Sequence, residues 1–420
     1  MRRTSLITSI PLVLAAAIAL PLAQGCKPAN TKSAVTGDAA SKVFVPPGQY
    51  DEFYNFVSGG FSGQMSVYGL PSGRLFRVIP VFSVDPQTGW GYSEETKPML
   101  MTTHGFIPWD DSHHVESSMS DGVQNGKFMF INGNNTPRIA MVDLRTFRTS
   151  SIIEIPNSAG NHSSPFSTPN SEYIVAGTRF SIPMGTDEQR DVPIETYKEN
   201  FKSTVSFIKP DTSNGSMEIA FQIKTPAIDF DLSHSGKGPS DGWFFFSCYN
   251  TEKAHELLEV NASQNDKDFI MAVNWKKAEQ YVKEGKGKKV PGKYYNNHYD
   301  ESTHMGTSKI GTEVLQLDPK ELTDLIYFMP CPKSPHGCDV DPTGEFIVGS
   351  GKLAATLPVF SFAKMQKAIA DKDYEGEYDG VPVLKYESVL QGEVKKPGLC
   401  LLYTSPSPRD RTRSRMPSSA

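Results

Sequence analysis

The feature that most constrains this chain is a unit that recurs four times: a histidine, a short strand, a tight turn and an aromatic strand. Asp111-Ser112-His113-His114 leads to Gly126 and then Lys127-Phe128-Met129-Phe130-Ile131. His162 precedes Asn170-Ser171 and Tyr173-Ile174-Val175; His234 precedes Asp241-Gly242 and Trp243-Phe244-Phe245-Phe246; His336 precedes Asp341-Pro342-Thr343-Gly344 and Phe346-Ile347-Val348. From His114, His162, His234 and His336 to the turn residue the gaps are 12, 9, 8 and 8 residues. A recurring β unit of this kind, at intervals of roughly 50 to 100 residues, predicts an all-β chain and favours a propeller over a sandwich or barrel. Adjacent strand residues point to opposite faces, so His113 and His114 can converge if they sit in a loop just before a strand.

The rest of the 420 residues suits that architecture. Thirty-eight per cent hydrophobic and 21% charged residues fit one large β domain or two ordinary ones. A net charge of −5 gives no reason to expect a nucleic-acid surface. Residues 1–26 read as an export signal: Arg2-Arg3, an apolar run from Ile10 to Leu22, then small residues. The run is too short for a good transmembrane span. Ser5 stands where a twin-arginine signal usually has an aromatic residue, so the general secretory route is favoured. Leu22-Ala23-Gln24-Gly25-Cys26 loosely resembles a lipoprotein cleavage site, which leaves lipidation of Cys26 open. Either way the mature protein is expected outside the cytoplasm, periplasmic or anchored at the membrane. Export would permit a Cys331–Cys338 bridge; buried thiols in a β core are the alternative.

Residues 27–45 are small and polar, a flexible linker. Strands are expected at 138–144, 151–155, 204–208 and 219–223, with Pro156-Asn157 and residues 211–215 as breaks. Polar surface helices are expected over 275–284 and 362–370, and the Lys-, Gly-, Tyr- and Asn-rich 285–312 reads as a long excursion loop that holds His298 and His304. The domain runs over 46–399. Residues 400–420 break character, with prolines, serines and Arg409, Arg411, Arg413 and Arg415 but no strand pattern; they read as a disordered tail foreign to the fold.

A histidine placed at the start of each blade's innermost strand would point into a shared channel. An all-imidazole ring suits copper best among the common divalent ions. Cys331 to Cys338 around His336 lacks the paired spacing of structural zinc sites. Tyr249-Asn250-Thr251-Glu252 and Asp268 offer oxygen ligands for a hard cation such as calcium, without EF-hand spacing.

These same segments resemble nitrous-oxide reductase. Asp111-Ser112-His113-His114 with Ser120-Asp121-Gly122 is similar to its double-histidine motif, and Ile155-Pro156-Asn157 with His162 to its next copper-ligand segment. Cys248-Tyr249-Asn250-Thr251-Glu252 and Asn265 to Phe269 resemble its calcium segment. Pro332-Lys333-Ser334-Pro335-His336-Gly337 with Asp341-Pro342-Thr343-Gly344 is the most specific match. The resemblance covers about residues 45–399 and looks closer to the secretory-type branch. It implies a seven-bladed propeller, here truncated to its first blades, whose channel holds a four-copper sulfide cluster (CuZ) on seven histidines. It implies a second, two-copper site (CuA) in a C-terminal cupredoxin-like domain, which this chain lacks.

Carried over, His113, His114, His162 and His336 match copper ligands. Asp111 and Asp231 match carboxylates beside the cluster that orient imidazoles or manage protons. Tyr249, Glu252, Asp268 and Ser334 match calcium ligands. His234 falls in the repeat but at no ligand position of the family. The implied reaction reduces nitrous oxide to dinitrogen and water, with electrons from a periplasmic donor such as a c-type cytochrome or cupredoxin, in a head-to-tail homodimer. Three cluster ligands and the electron-entry site are missing, so the chain alone is expected to be inactive. A non-enzymatic exported propeller that binds a partner is the rival reading. A propeller dehydrogenase with an organic cofactor is a weaker one.

Overall fold

The computed structural model describes residues 38–179, 181–183, 197–249, 268–300, 305–332, 335–351 and 354–395. The export segment, Cys26, Glu252, His304, Ser334 and the tail at 400–420 lie outside them. The chain divides into two compact units. The smaller takes residues 1–54 and 69–74. It holds the short helix Asp38–Val43, and its turn is tied by the Asp51 carboxylate, which accepts from the Ser72 backbone N–H and from Arg74 Nη2, both at 2.9 Å.

The larger unit is mostly β. Four of its sheets share one plan, four strands laid down in sequence order, each antiparallel to the last. The first has Ser112–Ser120, Val123–Gly133, Arg138–Asp143 and Arg148–Glu154. The second has Ser163–Ser167, Ile174–Gly177, Phe201–Asp211 and Ser216–Thr225. The third has Asp229–Ser235, Trp243–Tyr249, Asp268–Asn274 and Ile326–Cys331. The fourth has Pro335–Val340, Phe346–Gly351, Thr356–Ser361 and Leu390–Lys395. Local chemistry explains the first hairpin: Asp121 and Gly122 both have positive φ (52° and 73°), as a two-residue turn matched to strand twist requires.

Side-chain alternation then stacks the sheets face to face. Phe244 and Phe246 of the third sheet join Val205, Phe207 and Phe221 of the second in one core. Phe245, one residue out of phase, packs the opposite way, with Val340, Ile347 and Phe360 of the fourth. Phe130 and Met141 of the first sheet meet Ile174 and Ile208 of the second in another. All of these side chains are buried. The opening strands of the four sheets run side by side: Ser112–Ser120 next to Ser163–Ser167, that next to Asp229–Ser235, and that next to Pro335–Val340. Sequential four-strand meanders with adjacent first strands are the way propeller blades assemble.

Both expected helices form, at Trp275–Lys283 and Phe362–Asp371, with Asn274 and Ser361 as N-caps. Neither is merely surface-lying: Trp275, Ala278 and Tyr281 on one, and Phe362, Met365 and Ala368 on the other, are buried. The excursion expected as a loop over 285–312 is instead two strands, Lys288–Asp300 and Met305–Leu317, paired antiparallel. This ribbon adds to the second sheet in parallel, Gln222 opposite Gln316 and Ile223 opposite Leu317. Its buried Val314 and Leu317 cover what would otherwise be an open sheet edge. Its polar composition hid the strands, because a two-stranded ribbon buries few side chains. Among the described residues no helix is long and apolar enough to cross a membrane.

Candidate metal centre

The two adjacent histidines do converge, for a reason other than the one expected. They lie inside the strand Ser112–Ser120, and its pairing with Val123–Gly133 slips between Ser112 and Val115. A bulge at that point breaks the strict alternation and turns both imidazoles to one side. Their ring centroids are 4.4 Å apart. His162 precedes the first strand of the next sheet and brings its ring to within 4.7 and 4.8 Å of the other two centroids. One ring nitrogen from each of His113, His114 and His162 falls within 4.8 Å of the others.

Hydrogen bonds decide which nitrogen is offered. His114 Nδ1 donates to the backbone oxygens of His162 (2.7 Å) and Ser164 (3.2 Å). His162 Nδ1 donates to the Asp231 backbone oxygen at 2.8 Å and lies 2.9 Å from its carboxylate Oδ1. Nε2 is therefore the free lone pair on both rings. His113 Nε2 lies 3.0 Å from His162 Nε2. Metal–nitrogen bonds of ~2 Å put ligand nitrogens roughly 3–3.5 Å apart around one ion, so this spacing fits a cation held between the rings. Burial holds His113 below the usual imidazole range and pushes His114 down to about 3, with the neighbouring imidazoles adding to both shifts. Neutral imidazole is the ligating form, and the donor set fits a borderline or soft transition metal.

The second layer is formed by the two carboxylates and two asparagines. Asp231 is buried and also pairs with Arg179, Nη1 to Oδ1 at 3.0 Å. Asp111 Oδ2 is farther from its imidazole, 3.7 Å from His113 Nδ1, and accepts from Asn134 Nδ2 at 3.2 Å. The Asn132 side chain accepts from the His114 backbone N–H at 2.6 Å and donates to the Asn161 carbonyl, tying the first strand to the loop that carries His162. Beneath Asp111, buried Asp110 pairs with buried Arg138 at 3.2 Å, and Arg138 also donates to the carbonyls of Ile107 and Trp109.

The other expected residues are placed as follows. His336 is the second residue of Pro335–Val340; it is exposed and stands outside the group of three. Its backbone oxygen accepts from Ser247 Oγ, which also donates to the Leu232 carbonyl, so His336 lies close to the segment that carries Asp231. His234 sits at the far end of its strand, with Nδ1 on the Ser235 carbonyl. Asp268 is fully buried at the start of its strand, opposite Cys331, and the neighbouring strand ends at Tyr249. Cys248, Cys331 and Cys338 are buried thiols outside any disulfide, so the Cys331–Cys338 bridge is not formed. Sequence reasoning missed Arg179 and Asn132. Asn132 directly follows the aromatic strand Lys127 to Ile131, while nothing about Arg179 marks it without the fold.

Fold and site together define a mostly β chain of stacked sheets that carries a three-histidine centre backed by carboxylates. The chain is distantly homologous to nitrous-oxide reductases over most of its length. It is 30% identical to the Stutzerimonas stutzeri enzyme over 338 residues, covering 80% of this chain and 48% of that protein. It is 30% identical to the Pseudomonas fluorescens enzyme over 366 residues, covering 86% and 52%. The chain thus spans about half the length of the curated relatives it matches. No protein-family model matches it. Among solved structures, Kuenenia stuttgartiensis hydrazine synthase aligns with a TM-score of 0.45 and 11% identity over 82% of this chain and 71% of that one, too little to assign a fold.

Proposed function

We propose that this chain is the N-terminal propeller portion of an exported, periplasmic nitrous-oxide reductase, and that His113, His114 and His162 supply ligands to its copper–sulfide cluster. The observation that carries the reading is the convergence of three imidazoles, two with Nδ1 committed to carbonyl acceptors, in a chain homologous to nitrous-oxide reductases. The four meandering sheets would be blades of a seven-bladed ring. Bound copper would supply the electrons and the Lewis acidity that reduce nitrous oxide to dinitrogen and water.

The protein's own residues do the rest. The carbonyl of Asp231 and those of His162 and Ser164 hold the Nδ1 protons of His162 and His114, which aims both Nε2 lone pairs into the cluster. Burial keeps His113 and His114 neutral at physiological pH, so metal need not displace protons from them. Asp111 stands 3.7 Å from His113 Nδ1, a carboxylate beside the ring without a hydrogen bond to it. His336, one hydroxyl away from Leu232, would swing its exposed ring towards the same end of the channel. Calcium would sit at the buried Asp268 with the Tyr249 carbonyl, Glu252 and Ser334. A periplasmic electron donor and a homodimer complete the proposal.

Anaerobic copper titration of the metal-free protein tests it. The protein is expected to take up copper, and His113→Ala and His162→Ala each to weaken uptake by at least about tenfold. Copper uptake that ignores both substitutions would sink the assignment. Nitrous-oxide reduction by the complete gene product, measured as dinitrogen formed, tests the activity.

A further inference from the structure

We propose that Arg179 is a positioning residue for the imidazole centre: through Asp231 it holds the His162 ring in its metal-facing orientation. The inference rests on the metal-site reading above. Arg179 follows the strand Ile174–Gly177, 52 residues from its partner in sequence. Its Nη1 donates to Asp231 Oδ1 at 3.0 Å, and that same oxygen lies 2.9 Å from His162 Nδ1. One carboxylate oxygen is thus held between a guanidinium and an imidazole.

The consequence follows from what each group can do. A guanidinium only donates, so Oδ1 must remain an acceptor and cannot turn away as a protonated hydroxyl. With Oδ1 held on one side by Arg179, the carboxylate stays 2.9 Å from His162 Nδ1, beside the N–H whose hydrogen bond goes to the Asp231 carbonyl. A fixed carboxylate oxygen against that N–H restricts rotation of the ring about its Cβ bond beyond what the carbonyl alone does. The opposite corner of that ring is Nε2, the atom 3.0 Å from His113 Nε2.

The backbone of Arg179 is itself anchored. Its N–H donates to the Gly160 carbonyl at 2.9 Å, two residues before His162. Gly160 has φ +89°, and a Cβ there would meet the Asn134 carbonyl at 2.9 Å, so this loop's backbone course and its approach to Asn134 depend on glycine. Arg179 therefore grips the His162 loop with its backbone and the facing strand with its side chain. Asp231 is 1% exposed, so water competes little for its oxygens; the Arg179 side chain is 20% exposed.

Two measurements on the full chain test this. In metal-free protein with 15N-labelled histidine, the His162 Nδ1–H proton is expected to exchange with solvent at least about tenfold faster in Arg179→Gln than in the wild type. In the copper titration, Arg179→Gln is expected to bind copper about 10-fold or more weakly. Arg179→Lys, which keeps a donor at the same place, is expected to recover most of both effects, with each protein shown to be folded at the assay temperature by a cooperative melt. Unchanged exchange in Arg179→Gln overturns the proposal. So does a loss that Arg179→Lys, folded by its Tm, does not recover. If the wild type takes up no copper while the exchange responds as stated, the copper reading falls and the positioning role stands.

Discussion

Asp231 and Glu116 are both acids on the opening strands of their sheets, and their surroundings are opposite. The Asp231 carboxylate receives the guanidinium of Arg179 and lies 2.9 Å from His162 Nδ1. Glu116 lies two residues past His114 and accepts from the backbone N–H of Ser167; burial raises its carboxyl to about 8. One acid is therefore built into the fold as a partnered charge, and the other as a neutral acid at physiological pH. A carboxylate can stay charged in such a place only where a cation is supplied, and Arg179 supplies it at one strand alone.

Removing the partnered acid should have the largest effect. Asp231→Ala leaves the Arg179 guanidinium facing an apolar methyl while His162 keeps its backbone carbonyl acceptor, and loss of one partner of a buried ion pair costs about 3 kcal/mol. Urea denaturation of the metal-free protein is expected to show that loss, and copper affinity to fall about 10- to 100-fold. A variant as stable as the wild type would mean that the pair is not held as the geometry has it.

The neutral acid predicts a pH effect of intermediate size. Glu116 titrates at about 8 when folded against 4.5 in the unfolded chain, so between those values the folded state holds the extra proton and stability falls as pH rises. His114 works the other way: at about 3 folded against 6.5 unfolded, it makes stability fall as pH drops below 6.5, and the lowered His113 adds in the same direction. The two slopes oppose one another between 4.5 and 6.5. Above 6.5 the imidazole contribution fades and Glu116 contributes a drop of roughly 2 kcal/mol between pH 6.5 and 8, with the raised Asp110 acting in the same direction. Glu116→Gln should flatten that limb and leave the acid limb intact. An identical alkaline limb in the variant would place the responsible group elsewhere.

How much of this was legible in the sequence differs from strand to strand. The meander could be read from alternating apolar runs and from turns such as Asp241-Gly242 and Asp341 to Gly344, because these are local signals; the first turn, read at Gly126, falls instead at Asp121-Gly122, and Gly126 lies within the strand Val123–Gly133. The convergence of His113 and His114 could be suspected but not explained, since the bulge that produces it depends on pairing with a strand not yet placed. The third repeat misled. His234 occupies the recurring sequence position, yet the strand begins at Asp229 and its pairing slips between Phe230 and Ser233. Asp231, not His234, therefore meets the neighbouring loop. Arg179 was invisible because its role is a contact across 52 residues, with no periodicity to announce it. The ribbon at 288–317 was misread as a loop because its sequence is rich in lysine, glycine, tyrosine and asparagine.

The third acid, Asp111, should give the smallest effect and the sharpest comparison with Asp231. Its Oδ2 stands 3.7 Å from His113 Nδ1, beyond hydrogen-bond range, and its carboxylate has Asn134 as a second neighbour. Asp111→Asn keeps the side chain's shape and most of its contacts. It should cost less than about 1 kcal/mol in urea denaturation, and weaken copper binding by about threefold or less. Asp231→Asn, by contrast, removes the charge facing Arg179 and should cost copper affinity about tenfold. The two matched substitutions change the same atoms at two carboxylates that differ in distance to their imidazole and in the presence of a guanidinium. Equal losses from both would mean that neither the 0.8 Å nor Arg179 matters, and that any nearby carboxylate serves the centre equally.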